Sequence, residues 1–339
     1  MKKLNITFLV LLLSINFGLA QSFTNSGEIY VVSGTNLTLT GDFENLDWGY
    51  IANNGDIDIM GNWQNNSSSN VMLNGYSGDV NFNGSTDQTI GGSTETDFTN
   101  LNIQNDVELG NSIYVWGEMN LTAGKLTLSN HDLNYNSFSP IIADENNYIV
   151  ADENGMLNYF VDAMMPANIP IGTQSAYTPL VISLNGFSDN YSFNMIKDIL
   201  SNGNSGTTIP EIIDCVNLTW NVEPQNPGTA DYNIGLQWNA SNEMPNFDRT
   251  QSAIGDYHSG QWNPDTASAA EGSGPYTHSL NNITHTGHFA VGDQESPMAI
   301  TLDLIVDLTA LLEGPYNGVK MLTILNDDGH LPLNQPYNT

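Results

Sequence analysis

Leu37-Thr-Leu-Thr-Gly-Asp-Phe-Glu-Asn45 returns twenty residues later as Ile57-Asp-Ile-Met-Gly-Asn-Trp-Gln-Asn65. Only the glycine and the final asparagine are identical. Every apolar position is nevertheless kept, Leu37 with Ile57, Leu39 with Ile59 and Phe43 with Trp63. Apolar residues at period two mark strands with one buried face. A longer period near twenty marks a chain that coils into stacked rungs.

The same texture runs from Gly27 to about Tyr159, as short alternating strands broken by Gly, Asn, Asp and Ser. Strands of three or four residues cannot stand as isolated hairpins. They hold when equivalent positions stack about 4.8 Å apart, each rung covering its neighbour's apolar face. The stretch predicts about six or seven rungs. Leu37, Leu39, Phe43, Ile57, Ile59, Trp63, Leu101, Ile103, Ile113, Val115, Leu121, Leu126 and Leu128 are expected to point inward. Asn and Gly after each strand are expected at corners needing φ > 0. An antiparallel sandwich, with a hairpin turn at Gly75-Tyr-Ser-Gly-Asp79, is the competing arrangement. The solenoid ranks ahead because the repeat keeps phase across long loops.

Pro166, Pro170 and Pro179 interrupt the rung pattern, and longer strands follow. Leu180–Leu184, Tyr191–Ile196, Val216–Glu223, Tyr232–Trp238, Tyr276–Leu280 and Phe289–Val291 read as an antiparallel sandwich of about seven strands, anchored by Trp220 and Trp238. After Glu295-Ser-Pro297 a further alternating strand, Ile300–Thr309, and a short one near Met321–Leu325 begin another module too small to bury its own sandwich core. The fold class is therefore all-β: N-terminal parallel β-solenoid, β-helix-like repeats followed by an antiparallel β-sandwich. The divisions are 1–20 signal peptide, 21–160 solenoid, 161–294 sandwich and 295–339 an incomplete β module. The front part of a longer protein is expected.

Lys2 and Lys3, an apolar run from Ile6 to about Leu13, and Gly18-Leu19-Ala20 read as a secretory leader too short to span a bilayer. No later segment is apolar enough to do so. Hydrophobic residues make up 40% of the chain and charged residues only 13%, so the surface must be mainly Asn, Ser, Thr and Gly. Beyond the leader, Lys125, Lys197, Arg249 and Lys320 face 37 carboxylates. Such acidity argues against nucleic acid and anionic lipid as partners. Cys215 is alone, which rules out an intrachain disulfide and reads as a small buried hydrophobe.

Gly91-Gly-Ser-Thr-Glu-Thr-Asp-Phe-Thr-Asn-Leu-Asn-Ile103, Val107-Glu-Leu-Gly-Asn-Ser-Ile-Tyr-Val115 and Leu121-Thr-Ala-Gly-Lys-Leu-Thr-Leu128 resemble the rung text of large secreted surface proteins of Bacteroidota. Pro170-Ile-Gly-Thr173 with Tyr177-Thr-Pro-Leu180 resembles the joint into their sandwich module. Leu312-Glu-Gly-Pro-Tyr-Asn-Gly318 with Leu331-Pro-Leu-Asn-Gln-Pro-Tyr337 is similar to a segment found further along in them. The resemblance implies export to the cell surface of a Gram-negative bacterium, type IX secretion, and an adhesin-like or stalk-like role. The chain departs from that group in lacking a C-terminal sorting module, which truncation would explain.

Chemistry is sparse. A uronate lyase needs a base and cations for the substrate carboxylate, and the solenoid stretch offers no Arg and only Lys125. Asp56 and Asp58 could present paired carboxylates, though a solvated ladder face is the favoured explanation. His278, His285 and His288 precede Phe289, and a turn at Thr286-Gly287 could gather two of them around zinc, without a recognised ligand spacing. Asp144 and Glu145, with Asp152 and Glu153, form twin acidic turns whose oxygens could suit calcium, although no twelve-residue loop is present. Trp48, Tyr50, Tyr76, Trp116 and Trp262 could stack on sugar rings or be buried. Outward threonines in register, as an ice-binding solenoid would need, are missing. The expectation is a non-catalytic, monomeric surface protein without cofactor, calcium apart, whose partners are surface proteins or neutral glycans. A carbohydrate-binding or polysaccharide-degrading component using the solenoid flank is the alternative.

Overall fold

The computed structural model describes residues 22–68, 77–209 and 212–293, together with the backbone of Lys320–Ile324 and Leu333–Tyr337. The chain first winds as a parallel β-solenoid of about seven turns, its strands stacked in three ladders. One ladder runs Phe23–Asn25, Phe43–Asp47, Trp63–Ser67, Gln88–Gly91, Val107–Leu109, Leu126–Thr127, Ile149–Val150 and Ile171–Thr173. The second stacks Asn36–Leu39, Asp56–Ile59, Asp79–Phe82, Asn100–Ile103 and Met119–Leu121. The third is formed by Glu28–Val31 with Tyr50–Asn53 and, in a separate sheet, by Thr96–Phe98, Ile113–Val115, Leu133–Tyr135 and Leu157–Val161.

The register is the one the repeated phrase dictates. Leu37 lies opposite Ile57 and Leu39 opposite Ile59, while Phe43 lies opposite Trp63 and Asn45 opposite Asn65. Alternation then sends one apolar set inward on every rung. All the expected inward residues are buried except Leu37, half-buried on the outermost strand of its ladder. Aromatic rings stack along the axis, Phe23 to Phe43 at 6.1 Å, Phe43 to Trp63 at 4.4 Å and Trp63 to Phe98 at 5.7 Å.

The asparagines depart from the corner reading. Among the described residues the non-glycine positions with positive φ are Asp47, Ser129, Ser259 and Asn282, so Asn25, Asn45 and Asn65 are not left-handed corners. Asn25, Asn45 and Asn65 are instead buried and form an amide ladder along the axis. Asn25 Nδ2 donates to Asn45 Oδ1 at 2.8 Å, and Asn45 Nδ2 donates to Gly49 O at 2.9 Å and Asn65 Oδ1 at 3.3 Å. An amide has both donor and acceptor, so identical residues one rung apart satisfy each other where a carboxylate pair would repel. Gly49 is required beside this ladder, since a Cβ there would lie 2.0 Å from Asn45 Oδ1.

The third ladder does not stop at the solenoid. Leu157–Val161, parallel to Leu133–Tyr135 on one edge, pairs antiparallel with Asp189–Ile196 on the other. The same sheet continues through Cys215–Pro224, Gly287–Asp293, Ser252–His258 and Gln261–Pro264. A facing sheet is made of Ala167–Ile169, Leu180–Leu184, Tyr232–Trp238 and Tyr276–Ile283. Between them lie Phe193, Trp220, Val222, Tyr232, Leu236, Trp238 and Phe289, all buried and continuous with the solenoid core. Trp220 and Trp238 are anchors as expected, their indoles donating to Thr178 O and Glu243 Oε1. Cys215 is buried in a small cluster with Ile199, Ile209 and Trp262.

Ser252–His258 and Gln261–Pro264 escape the sequence reading. The first has buried residues on both faces over Ser252–Asp256 and shows no alternation. A second compact unit, residues 300–339, contains an antiparallel pair, Lys320–Ile324 with Leu333–Tyr337. The expected strand Ile300–Thr309 and the ring of Tyr76 lie outside the described residues. Among the described residues, no helix is long and apolar enough to cross a membrane.

Candidate metal centre

Ser252–His258 crosses the sandwich beside Gly287–Asp293, with Asp256 opposite Phe289. Side chains of residues 256 and 258 leave the same face of a strand. The chain passes from Tyr276–Ile283 in one sheet to Gly287–Asp293 in the other, and the link carries His285 over that face. Asp256 Oδ2 thus lies 3.3 Å from His258 Nδ1 and 3.1 Å from His285 Nε2. The imidazole rings are 4.3 Å apart. Among the described residues this is the group of His, Cys, Asp or Glu whose ligand atoms lie within 4.8 Å of one another.

His258 and His285 line a cleft of about 550 Å³ with Asn221, Glu223, Tyr257 and His288, among others, and Asp256 lies buried against both imidazoles. Asp256 is 6% exposed, whereas the side chains of His258 and His285 are 37% and 32% exposed. Burial pushes the Asp256 carboxyl above its ordinary range, against the opposing pull of His285 and His258. Burial also holds His288 below the usual imidazole range, against nearby Glu223. Three buried polar atoms around the cleft lack a hydrogen-bond partner: Asp256 Oδ1, His288 Nδ1 and Asn221 Oδ1. Buried polar atoms are normally satisfied, so three such atoms at one place mark the site. Gly287 makes the close approach, since a Cβ there would lie 2.4 Å from Phe289 Cζ and 3.0 Å from Asp256 Oδ1.

The expected acidic site does not assemble. The Asp144 carboxylate closes its own turn, accepting from Asn146 N at 2.8 Å and Asn147 N at 3.0 Å. Those bonds hold its carboxyl below the usual range. Asp152 pairs with Lys197 at 2.5 Å and accepts from Gln174 N at 2.8 Å. Glu145 and Glu153 are exposed, and the Glu153 carbonyl accepts from Asn194. The Asp144 and Asp152 carboxylates are engaged in a turn and an ion pair, and no three of the four residues bring ligand atoms within 4.8 Å of one another. Asp58 accepts from Asn36 at 2.7 Å and Asn81 at 2.9 Å as part of a surface ladder.

Of the three neighbouring histidines, His285 and His288 line the same cleft. His278 is buried elsewhere, 2.8 Å from Ser252 Oγ and 3.3 Å from Asp265. Asp256 and His258, which complete the group, lie on the strand that alternation could not reveal. An Asp-x-His spacing was the available signal, since it puts two ligand types on one strand face. Trp262 is buried, Trp48 is 79% exposed and Trp116 is 37% exposed. No family model, curated protein or solved structure matches the chain.

Proposed function

We propose that this chain is an exported, non-catalytic surface protein with a stalk-like, adhesive role. The observation that carries the reading is the sheet running unbroken from parallel rungs into the antiparallel sandwich. Inter-rung hydrogen bonds lie along the solenoid axis, so such a sheet couples the sandwich to the rungs by backbone pairing. Side-chain ladders reinforce the same direction. Asn81, Asn102 and Asn120 each donate to the preceding member, from Asp58 onward, at 2.8 to 2.9 Å. A second ladder, Asn158 to Asn134 at 2.9 Å and Ser192 to Asn158 at 2.5 Å, crosses the junction itself. The leader and the rung text that resembles Bacteroidota surface proteins supply the cellular setting. Protease added to intact producing cells should remove an epitope tag from the chain, and deletion of the gene should reduce attachment. A protected tag, or unchanged attachment, would overturn the proposal.

A carbohydrate-binding role has one observation in its favour. Trp116, Phe138 and Phe160 line a shallow groove with Asn136, Ser137 and Asn190, and Phe138 is 84% exposed. Apolar ring faces beside amides suit neutral sugars. Trp116→Ala should abolish binding on a glycan array if this groove is the sugar site. Equal binding by wild type and variant would exclude it.

A further inference from the structure

The hydrogen bonding around Asp256, His258 and His285 points to more than a polar contact. His285 Nδ1 is 3.0 Å from the Thr286 carbonyl. A carbonyl can only accept, so Nδ1 carries the proton, and in the neutral ring Nε2 turns a lone pair toward Asp256 Oδ2. His258 Nδ1 lies 3.2 Å from the Asn263 amide nitrogen. That amide also reaches the carbonyls of Gln261, Asp256 and His258 at 3.0 to 3.3 Å, so its two hydrogens have other acceptors and Nδ1 of His258 is not held by it. Two imidazole nitrogens lie within 3.3 Å and 3.1 Å of one buried carboxylate oxygen, an arrangement that needs a positive centre, a ring proton or a metal ion, between them.

We propose that Asp256, His258 and His285 bind a divalent transition metal, zinc in the first instance, with a further coordination position open to the cleft. The donor set of two imidazoles and one carboxylate belongs to zinc and its neighbours, whereas calcium takes oxygens. The Oδ2-to-nitrogen separations of 3.3 and 3.1 Å match the roughly 3.3 Å between neighbouring ligand atoms of a tetrahedral site with bonds near 2.0–2.1 Å. The Nδ1–H of His285 donating to a backbone carbonyl is the outer contact that fixes a ligating imidazole. Asp256 is more than nine-tenths buried, and its second oxygen has no partner. The buried carboxylate forms the floor while two half-exposed imidazoles line the opening, which leaves the ion accessible from solvent.

Placement gives the ion structural work. Asp256 and His258 belong to one sheet and His285 to the link arriving from the other. A metal there ties the crossover to the sheet in a chain whose single cysteine excludes an intrachain disulfide. An ion that binds only the folded state stabilises it by mass action.

The test uses the full chain stripped with a chelator, then titrated with zinc by calorimetry and with cobalt by visible absorption. One saturable equivalent is expected, with tetrahedral cobalt bands and a metal-dependent rise in melting temperature. His258→Ala and His285→Ala replace half-exposed side chains and should fold, as far-UV circular dichroism will check. Each should weaken zinc binding by about 100-fold or more, given that outer contacts alone are worth 10- to 100-fold. His131→Ala, distant in sequence and outside the cluster, should leave binding unchanged. No saturable binding by the wild type would show the cluster to be hydrogen-bonded only. Full binding by folded His285→Ala, or equal loss in His131→Ala, would also overturn the assignment.

Discussion

The buried amide ladder is the sharpest test of how the solenoid holds together, and Asn45 is its middle member. Replacing Asn45 by Ala removes three hydrogen bonds at 2.8, 2.9 and 3.3 Å. The partners are not left equal. Gly49 O keeps a bond from Ser67 Oγ and Asn65 Oδ1 keeps one from Ser67 N, both at 3.2 Å. Asn25 Nδ2 keeps only a 3.4 Å contact with Tyr50 O. With about 1–3 kcal/mol for a buried group left unsatisfied, and one such group, the expected loss is about 1–3 kcal/mol. Asn45→Asp should cost more at neutral pH despite its matching shape. One carboxylate oxygen can still accept from Asn25, but the other would face the Gly49 carbonyl and Asn65 Oδ1, both acceptors. Burial would raise the new carboxyl's folded pKa above its unfolded value. The stability of Asn45→Asp is therefore greatest at low pH and falls by up to about 1.4 kcal/mol per pH unit as pH rises toward the folded pKa. Urea unfolding of both variants at pH 5 and pH 8, followed by circular dichroism, reads these terms. A loss below about 0.5 kcal/mol for Asn45→Ala, or a pH-independent Asn45→Asp no weaker than Asn45→Ala, would refute the ladder's energetic role.

Burial raises the phenol of Tyr135 to about 12 and that of Tyr191 to about 12. Their contribution to stability is complete below pH 10 and lost as pH rises from 10 to about 12, so phenolate absorbance should appear together with unfolding; gradual phenolate formation in a folded chain would contradict this. Glu243 accepts from Arg249 at 2.6 Å through each oxygen and from the Trp238 indole at 2.9 Å. Glu243→Ala strands a buried indole N–H and should cost about 1–3 kcal/mol, whereas Arg249→Ala, on the exposed side of the pair, should cost less by the same urea assay. Pulled by its ends, the solenoid should release in steps of about 70 Å, one twenty-residue rung at a time, and a single large step in force spectroscopy would count against rung-wise stacking.

The solenoid was legible because its inward positions alternate and recur. Leu37, Leu39 and Phe43 could be aligned with Ile57, Ile59 and Trp63 before any coordinates, and the pairing follows that alignment. The role of Asn45 was not legible, because the same residue type serves turns, solvent and buried ladders. Only the register shows that Asn25, Asn45 and Asn65 stack. The metal cluster was hidden twice over. Ser252–His258 is buried on both faces and has no period, and its partner His285 arrives from the opposite sheet. His285 and His288 could be suspected together, but nothing local distinguished them from His278, whose ring is held by Ser252 and Asp265.

The switch from parallel to antiparallel pairing at Leu157–Val161 has a further consequence. Another copy of the repeat could extend a parallel ladder by stacking on its open edge, the route by which solenoids grow into fibres. Here the incoming strand, Asp189–Ile196, runs the opposite way. On the first ladder, Ala176–Tyr177 likewise turns back against Ile171–Thr173. Two of the three ladders therefore pass into strands of the wrong polarity for a further rung. At those two ladders chain direction itself, rather than side-chain chemistry, opposes the addition of another parallel rung.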